Sequence, residues 1–312
     1  MQVIQLNYPY DPKQIIQEPI VLALGFFDGV HRGHQEVIGQ ARQIADQEGL
    51  PLAVLTFTHT PKVVYQTIHP YHYGYLTDNR HKLNLFEGLG VDLVYLSEFT
   101  WQMGAQSPQE FVDRYLVGLH AQHVVAGFDY TYGPVDQANM TTLKIHSQGR
   151  FEVTEVPPQL LNQEKIGART IKEDLKAGQI DRVNQALGYP YQTSGIVMNG
   201  YKRGRTIGYP TANIATDPHQ ILPGVGVYVV EILVQGVWYQ GMASVGYNVT
   251  FQEPNELTCE VYILDFNQMI YGERVEVKWH HYLRGEIKFD QVADLVSQLD
   301  QDLVDTRAYF DN

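Results

Sequence analysis

The sequence predicts an α/β domain built on a parallel sheet, followed by a small antiparallel β-barrel with a C-terminal helix. Three observations carry this. Short apolar runs alternate with helix-spaced patterns through the first half of the chain. From about residue 186, strand-type runs follow one another with only Gly, Asn or Pro turns between them. The last stretch returns to helical spacing.

The first half reads element by element. "IVLALG" (20–25) is a buried strand, and the helix after it places Val37, Ile38, Ala41, Ile44 and Ala45 on one face. "LAVLTF" (52–57) is the second strand. "NRHKLNLFEGLG" (79–90) is a helix that ends at glycine. "VDLVYL" (91–96), the helix "PQEFVDRYLVGL" (108–119), "HVVAGF" (123–128) and "FEVTEV" (151–156) continue the alternation. Ligands of such a sheet sit at the carboxyl ends of its strands.

In the second half the strands are "GVYVVEILVQ" (226–235), "VWYQGMASVG" (237–246), "LTCEVYILDF" (257–266) and "ERVEVKW" (273–279). A closing helix follows, with Val292, Leu295, Val296, Leu299 and Leu303 on one side and Asp290 as its N-cap. The spacing predicts two domains, 1–185 and 186–312.

Composition narrows the function. A net charge of −13 argues against a nucleic-acid or anionic-membrane surface, because both attract basic patches. The lone cysteine, Cys259, forms no internal disulfide and no thiolate cluster. By strand alternation it faces away from Glu260, as a buried thiol. No apolar run is long enough to span a membrane, and the N-terminus lacks a signal-peptide pattern, so a soluble cytoplasmic protein is expected, a monomer or weak oligomer.

"GFFDGVHRGH" (25–34) follows the first strand and opens the first helix. A helix N-terminus offers unpaired N–H groups and partial positive charge to a phosphate. Gly29 and Gly33 let the backbone approach a ligand closely. His31 and His34, three apart, can point to the same side and donate to phosphate oxygens. A bare H-x-x-H is an ordinary turn; a strand before it, a helix after it and glycine on both sides favour an anion site.

"NGYKRGRTIGYPTANI" (199–214) is the stronger signal. Gly200, Gly204 and Gly208 mark a flexible loop carrying Lys202, Arg203 and Arg205, a cationic cradle for phosphates. Pro210 fixes the backbone, and Thr211 and Asn213 alternate on an extended segment so that both oxygens face one side. Neutral oxygens completed by substrate phosphates are a Mg²⁺ set. No Walker A or protein-kinase glycine loop is present.

These segments carry a resemblance. The H-x-G-H element after a first strand resembles the nucleotidyltransferase superfamily. Gly25 to His34, including Asp28, resembles the adenylyltransferase module of the prokaryotic bifunctional riboflavin kinase/FAD synthetase family. "VLTF" (54–57), "LTDNRHKL" (76–83), "GVDLVYL" (90–96), "EFV" (110–112) and "GFDYTYG" (127–133) match it in order. The resemblance implies a Rossmann-like nucleotidyltransferase sheet, a histidine pair on the ATP phosphates and Asp129 near flavin or nucleotide. The glycine loop with "PTAN" is similar to the riboflavin kinase module, which transfers the ATP γ-phosphate to riboflavin. That implies Glu260 in "TCEVYILDF" (258–266) as the base for the ribityl hydroxyl, with Tyr262 where the family often has His. It also implies Asn248 and Arg284 near the flavin. Substrates are then riboflavin, FMN and ATP, with Mg²⁺.

Departures stand out in places. "TFTHTP" (56–61) has Thr60 where the family has His, with His59 one position earlier, and "PVDQAN" (134–139) replaces a basic loop. At "KIGARTIKEDL" (165–175) both serines of Ile-Ser-Ser-Thr-x-x-Arg are absent, leaving Arg169 and Lys172 as the ATP-phosphate cations. "GYNVTF" (246–251) has Val249 for proline. Two other readings stay open: a riboflavin kinase whose first domain only binds flavin or nucleotide, and a non-catalytic flavin-binding protein. "HPYHYGY" (69–75) reads as a surface aromatic loop, and His280 and His281 as ordinary polar residues near a strand end.

Overall fold

The structure is a computed structural model that describes residues 1–67, 74–200, 203–247 and 257–311, Arg203 by its backbone alone. The chain forms two compact units, Met1–Tyr73 with Asp78–Gly167, and Gly74–Thr77 with Ala168–Asn312.

The first unit holds strands β1 (Gln2–Leu6), β2 (Ile20–Leu24), β3 (Leu52–Phe57), β4 (Leu93–Ser97), β5 (Ala121–Gly127) and β6 (Glu152–Val156). They form a parallel sheet in the order β1-β4-β3-β2-β5-β6. Every residue of β2 is buried, as expected of a strand covered on both faces. Its side chains alternate between two cores. Leu22 and Leu24 join Leu55, Tyr95 and Tyr115 on one side; Val21 and Ala23 join Val54, Phe86 and Val125 on the other.

The helices are α1 (Arg32–Glu48), α2 (Lys62–Tyr65), α3 (Asn79–Gly88), α4 (Trp101–Gly104), α5 (Pro108–Phe111) and α6 (Met140–Ser147). Val37, Ile38, Ala41 and Ala45 are the buried stripe of α1, which stops at left-handed Gly49 (φ 68°). After β2 the chain builds β3 and β4 on one side of it, then places β5 on its other side. The loop leaving β2 therefore stands at the sheet's switch point, where open α/β folds bind ligands.

The first unit differs in places from the sequence reading, which had not named α2, α4 or α6. β1 was not expected; it is a short edge strand pairing Gln2–Leu6 with Leu93–Ser97. The helix expected over 108–119 is α-helical only through Phe111 and widens into a π-turn at Val112–Val117, which buries Val112, Tyr115 and Leu116 together. A small antiparallel hairpin, β7 (Leu160–Leu161) and β8 (Glu164–Lys165), ends the unit.

The second unit begins with α7 (Ala168–Lys176) and α8 (Ile180–Leu187). Strands β9 (Tyr191–Met198), β10 (Thr211–Thr216), β11 (Gly226–Val234), β12 (Val237–Tyr247), β13 (Leu257–Ile263) and β14 (Arg274–Arg284) close an antiparallel barrel in the order β10-β13-β12-β11-β14-β9. Alternation is regular. Ala212 and Ile214 on β10, and Cys259, Val261 and Ile263 on β13, are buried, while Thr211, Asn213, Glu260 and Tyr262 lie between them and are half-exposed. Trp279 is fully buried and donates its indole N–H to Thr193 Oγ1 at 3.0 Å.

The last helix, α9 (Val292–Asp311), starts later than expected, so Asp290 precedes it by two positions and is not its N-cap. Val292 is 63% exposed rather than packed. Leu295, Val296, Leu299 and Leu303 are half-buried, and the fully buried residues of α9 are polar: Asp302 and Thr306. Ionic and hydrogen-bonded anchors hold this helix, as described below.

Candidate active sites

The loop after β2 is shaped by backbone that ordinary residues avoid. Phe27 has φ 55° and Gly29 φ 78°, with a 3₁₀ turn at Asp28–Val30. Phe27 folds inward and packs edge-on against His34 (5.2 Å between ring centroids) and Phe86 of α3 (5.6 Å). Gly25 makes room for it, since a Cβ there would stand 2.8 Å from the Phe27 ring. Asp28 is buried in the turn.

His31 takes the N-cap position of α1, and its Nδ1 accepts from the His34 N–H at 3.3 Å. An accepting Nδ1 leaves the proton of a neutral His31 on Nε2. The His31 and His34 rings stack, 3.6 Å between centroids and 17° between planes. Gly33 permits this, because a Cβ there would press on the His31 ring at 3.2 Å. Burial pushes His31 down to about 4, with Asp129 opposing and Lys165 assisting. His34 lies well below the ordinary histidine value, through burial and then the charges of His31 and Lys82. The pair therefore presents neutral imidazoles at a helix N-terminus, able to donate to phosphate oxygens without charge repulsion inside the stack.

Asp129 follows β5, beside the loop. Its Oδ2 accepts from Lys165 Nζ of β8 at 2.7 Å, and the same ammonium stands 4.5 Å from the Phe128 ring centroid. Lys165 was not foreseen as a site residue. Neither was Lys82 of α3, whose side chain is 2% exposed and donates to Phe57 O at 2.9 Å. Lys82 lies four residues before Phe86 on the buried stripe of its helix, and a charge at an apolar stripe position was the signal available for it. His59 ties the ends of β3 and β4, with Nδ1 by Thr58 Oγ1 and Nε2 by Phe99 O, each at 3.0 Å.

Arg169 and Lys172 sit on α7 of the second unit. The Arg169 side chain is exposed and pairs with Glu173 at 3.0 Å. Lys172 Nζ donates to Gly74 O at 2.7 Å.

On the barrel, β10 and β13 assemble the second site. Asn213 stands opposite Glu260 and Thr211 opposite Tyr262 in the strand register. Thr211 Oγ1 donates to Glu260 Oε2 at 2.9 Å, so the hydroxyl orients the carboxylate. The glycine loop lies against this pair, since a Cβ on Gly200 would fall 2.3 Å from Asn213 Nδ2. At the far end of the loop Tyr209 N donates to Gly204 O at 2.8 Å, and a Cβ on Gly204 would strike Tyr209 O. Gly208 sits in left-handed backbone (φ 88°). Arg205 extends over the loop to Tyr271 Oη at 3.2 Å. Tyr209 packs on Tyr262 (5.0 Å) and donates its hydroxyl to Asp300 of α9.

Arg284, expected near flavin, is engaged by α9. Its Nε and NH2 reach the two Asp302 oxygens at 2.8 and 2.7 Å, and NH1 donates to Gly285 O at 3.0 Å. Cys259 faces the barrel interior, and burial pushes its thiol up to about 12. His280 pairs with Glu231 (2.9 Å) and His281 with Asp181 (2.8 Å). Lys202, Asn248, Val249 and the stretch from His69 to Tyr73 lie outside the described residues.

A family described as FAD synthetase matches residues 13–170, and one described as riboflavin kinase matches residues 187–310. A bifunctional riboflavin kinase/FMN adenylyltransferase of Listeria monocytogenes is 49% identical over 310 residues, 99% of this chain and 98% of the relative. The protein of that name from Bacillus subtilis is 39% identical, over 100% of this chain and 99% of the relative. A crystal structure from Streptococcus pneumoniae, described as a macrolide-efflux protein, superposes with TM-score 0.90 at 37% identity, over 98% of this chain and 99% of that one. Among the described residues of this chain, no helix is long and apolar enough to cross a membrane.

Proposed function

The chain belongs to the bifunctional riboflavin kinase/FMN adenylyltransferase family, and from that membership we propose how its residues divide the work. It is an ATP-dependent enzyme of flavin cofactor synthesis, with an FAD synthetase domain and a riboflavin kinase domain. In our reading the functional domains are 1–185 and 186–312, acting in the cytoplasm on riboflavin, FMN and ATP, as a monomer or weak oligomer without nucleic acid or membrane.

The kinase assignment rests on one observation above the others, the Thr211–Glu260 hydrogen bond on the half-exposed side of β10 and β13. Glu260 accepts the proton of the ribityl hydroxyl as it attacks the γ-phosphorus, and Thr211 holds the carboxylate in line. Gly200, Lys202, Gly204, Arg205 and Gly208 cradle the phosphates. The donor chemistry fits Mg²⁺: Thr211 and Asn213 offer neutral oxygens beside one carboxylate, and an ion that keeps its waters takes its remaining ligands from ATP. When bound, the ion neutralises charge on the transferring phosphoryl group. Asn248 and Arg284 complete the flavin side.

In the first domain, His31 donates from Nε2 and His34 from its ring N–H to the ATP phosphates as pyrophosphate departs. The backbone at Gly25, Asp28, Gly29 and Gly33 shapes the loop beneath them. Asp129 orients the flavin phosphate side through Lys165, and Arg169 and Lys172 supply positive charge where the family has hydroxyls and arginine.

The test is chromatographic. Purified protein with riboflavin, ATP and Mg²⁺ should yield FMN, and with FMN, ATP and Mg²⁺ should yield FAD. FMN without FAD would confine activity to the barrel, and neither product would overturn the reading.

A further inference from the structure

Tyr209 closes the glycine loop with both of its backbone groups. Its N–H donates to Gly204 O at 2.8 Å, and its own carbonyl lies so near Gly204 that a Cβ there would strike it. Gly208 before it takes left-handed backbone (φ 88°), and Pro210 after it has little freedom in φ. Thr211 comes next, with its hydroxyl on Glu260 at 2.9 Å. Wherever Tyr209 is held, the closing end of the loop and Thr211 are held with it.

The side chain is held from far along the chain. The ring is 8% exposed and packs on Tyr262 at 5.0 Å between centroids. Its hydroxyl donates to a carboxylate oxygen of Asp300 on α9. Phenylalanine would serve packing alone, and a buried hydroxyl without a partner is unfavourable. The hydroxyl is thus kept for the bond it makes. Burial, and then the Asp300 carboxylate, push the phenol above its ordinary value, so it remains a donor.

Asp302, two residues further on, takes Arg284 at the end of β14 (2.7 Å). Residues two apart on a helix point about 200° away from each other. The helix therefore stands between the glycine loop and the end of β14, fastened on both sides. A register row joins the same two places through the barrel. Asn213 stands opposite Glu260, Glu260 opposite Ser244, Ser244 opposite Val227, and Val227 opposite Arg284. Sheet hydrogen bonds fix that row. Tyr209 lies two residues before β10 begins, outside the ladder, and takes its anchor from α9 instead.

We infer that Tyr209 is a positioning residue for phosphoryl transfer and that Asp300 is its anchor: their bond sets the closed form of the glycine loop, in which the ATP phosphates and the Thr211 hydroxyl are aligned with Glu260. This deepens the kinase reading and rests on it. Both residues act through the loop rather than on substrate. The assignment separates the two substrates. A loosened loop weakens the hold on ATP and leaves the flavin side alone, whereas a general loosening of the barrel weakens both.

The experiment uses the full chain. FMN formation is measured with ATP and riboflavin varied in turn, and FAD formation from FMN serves as control within the same molecule. Tyr209→Phe keeps the ring against Tyr262 and removes only the bond. It should raise KM for ATP about tenfold, the worth of one hydrogen bond to a charged group, with KM for riboflavin and FAD formation unchanged. Asp300→Leu should give the same rise, and Tyr209→Phe with Asp300→Leu should rise no further, because both remove one interaction. Asp300→Asn, whose amide oxygen still accepts, should bring KM for ATP back to within about twofold of the wild type. An unchanged KM for ATP in Tyr209→Phe overturns the inference. So do equal rises for ATP and riboflavin, or effects that multiply in the double variant. A wild type that makes no FMN defeats the kinase reading beneath the proposal.

Discussion

Thr211 and Glu260 meet at 2.9 Å across two paired strands of a closed barrel, hydroxyl to carboxylate. Strand pairing on both sides of β10 and of β13 fixes that distance before substrate arrives, which is the preorganisation a proton acceptor needs. Replacing Glu260 with Gln keeps the shape and still accepts from Thr211. The loss therefore isolates the charge. FMN formation should fall by about 10²-fold or more, with FAD formation from FMN untouched. Chromatography of both reactions on the same preparation reads the difference.

Gly200→Ala should injure the same step by a different route. Its Cβ would lie 2.3 Å from Asn213 Nδ2, so the amide must swing aside or the loop must lift. We expect a higher KM for ATP and a Mg²⁺ requirement shifted upward in FMN formation, and no change in FAD formation. Steady-state kinetics at several Mg²⁺ concentrations measures both.

Removing divalent metal with EDTA should stop FMN formation, and added Mg²⁺ should restore it. Neutral oxygens at Thr211 and Asn213 hold the ion weakly without ATP, so calorimetry should find Mg²⁺ affinity rising sharply when nucleotide is present.

His31 links the first unit's stability to pH. Its folded value of about 4 lies below the ordinary 6.5, so the unfolded chain binds the proton more readily between these values. Stability is therefore full above about pH 6.5 and is lost as pH falls through 4, by on the order of 3 kcal/mol for this one group. His31→Gln should flatten that dependence in urea unfolding followed at pH 7 and pH 5. The same variant should reduce FAD formation by about 10²-fold and spare FMN formation.

Arg284 and Asp302 form a two-point ion pair in which the carboxylate is 2% exposed. Taking away one partner strands the other, so Arg284→Met should destabilise the second unit by about 3–5 kcal/mol. Arg284→Met with Asp302→Leu should recover much of that. Denaturation of the single and double variants closes the cycle, and riboflavin affinity measured alongside it separates a flavin contact from a structural one.

Much of this molecule could be read from residue order. β2, β3 and barrel strands β11 to β14 announce themselves because burial on both faces, or on alternate residues, leaves a direct pattern, whereas β9 (Tyr191–Met198) was not read. The loop motifs did the same, since glycine spacing and the Pro-Thr-Ala-Asn run are local. What escaped depends on contacts between distant segments. Lys82 shares a helix stripe with Phe86, but its carbonyl partners at Phe57 and Phe26 lie on other segments. Lys165 becomes a site residue only when β8 carries it to Asp129. The end of the chain misled because apolar spacing was read as the packing face, whereas Val292 is exposed and Asp302 and Thr306 are the buried anchors. Polar groups buried in pairs leave no periodicity to read.

Barrel closure has a consequence for the newborn protein. Tyr191 pairs with Trp279 and Gln192 with Lys278, so β9 leaves the ribosome long before its β14 partner exists. Tyr209 waits slightly longer still, for Asp300 of α9. The parallel sheet has all its strands once Val156 has emerged. Domains fold as units in the order they are synthesised. During translation, then, the sheet of the FAD synthetase domain has all its strands before any strand of the kinase barrel has emerged.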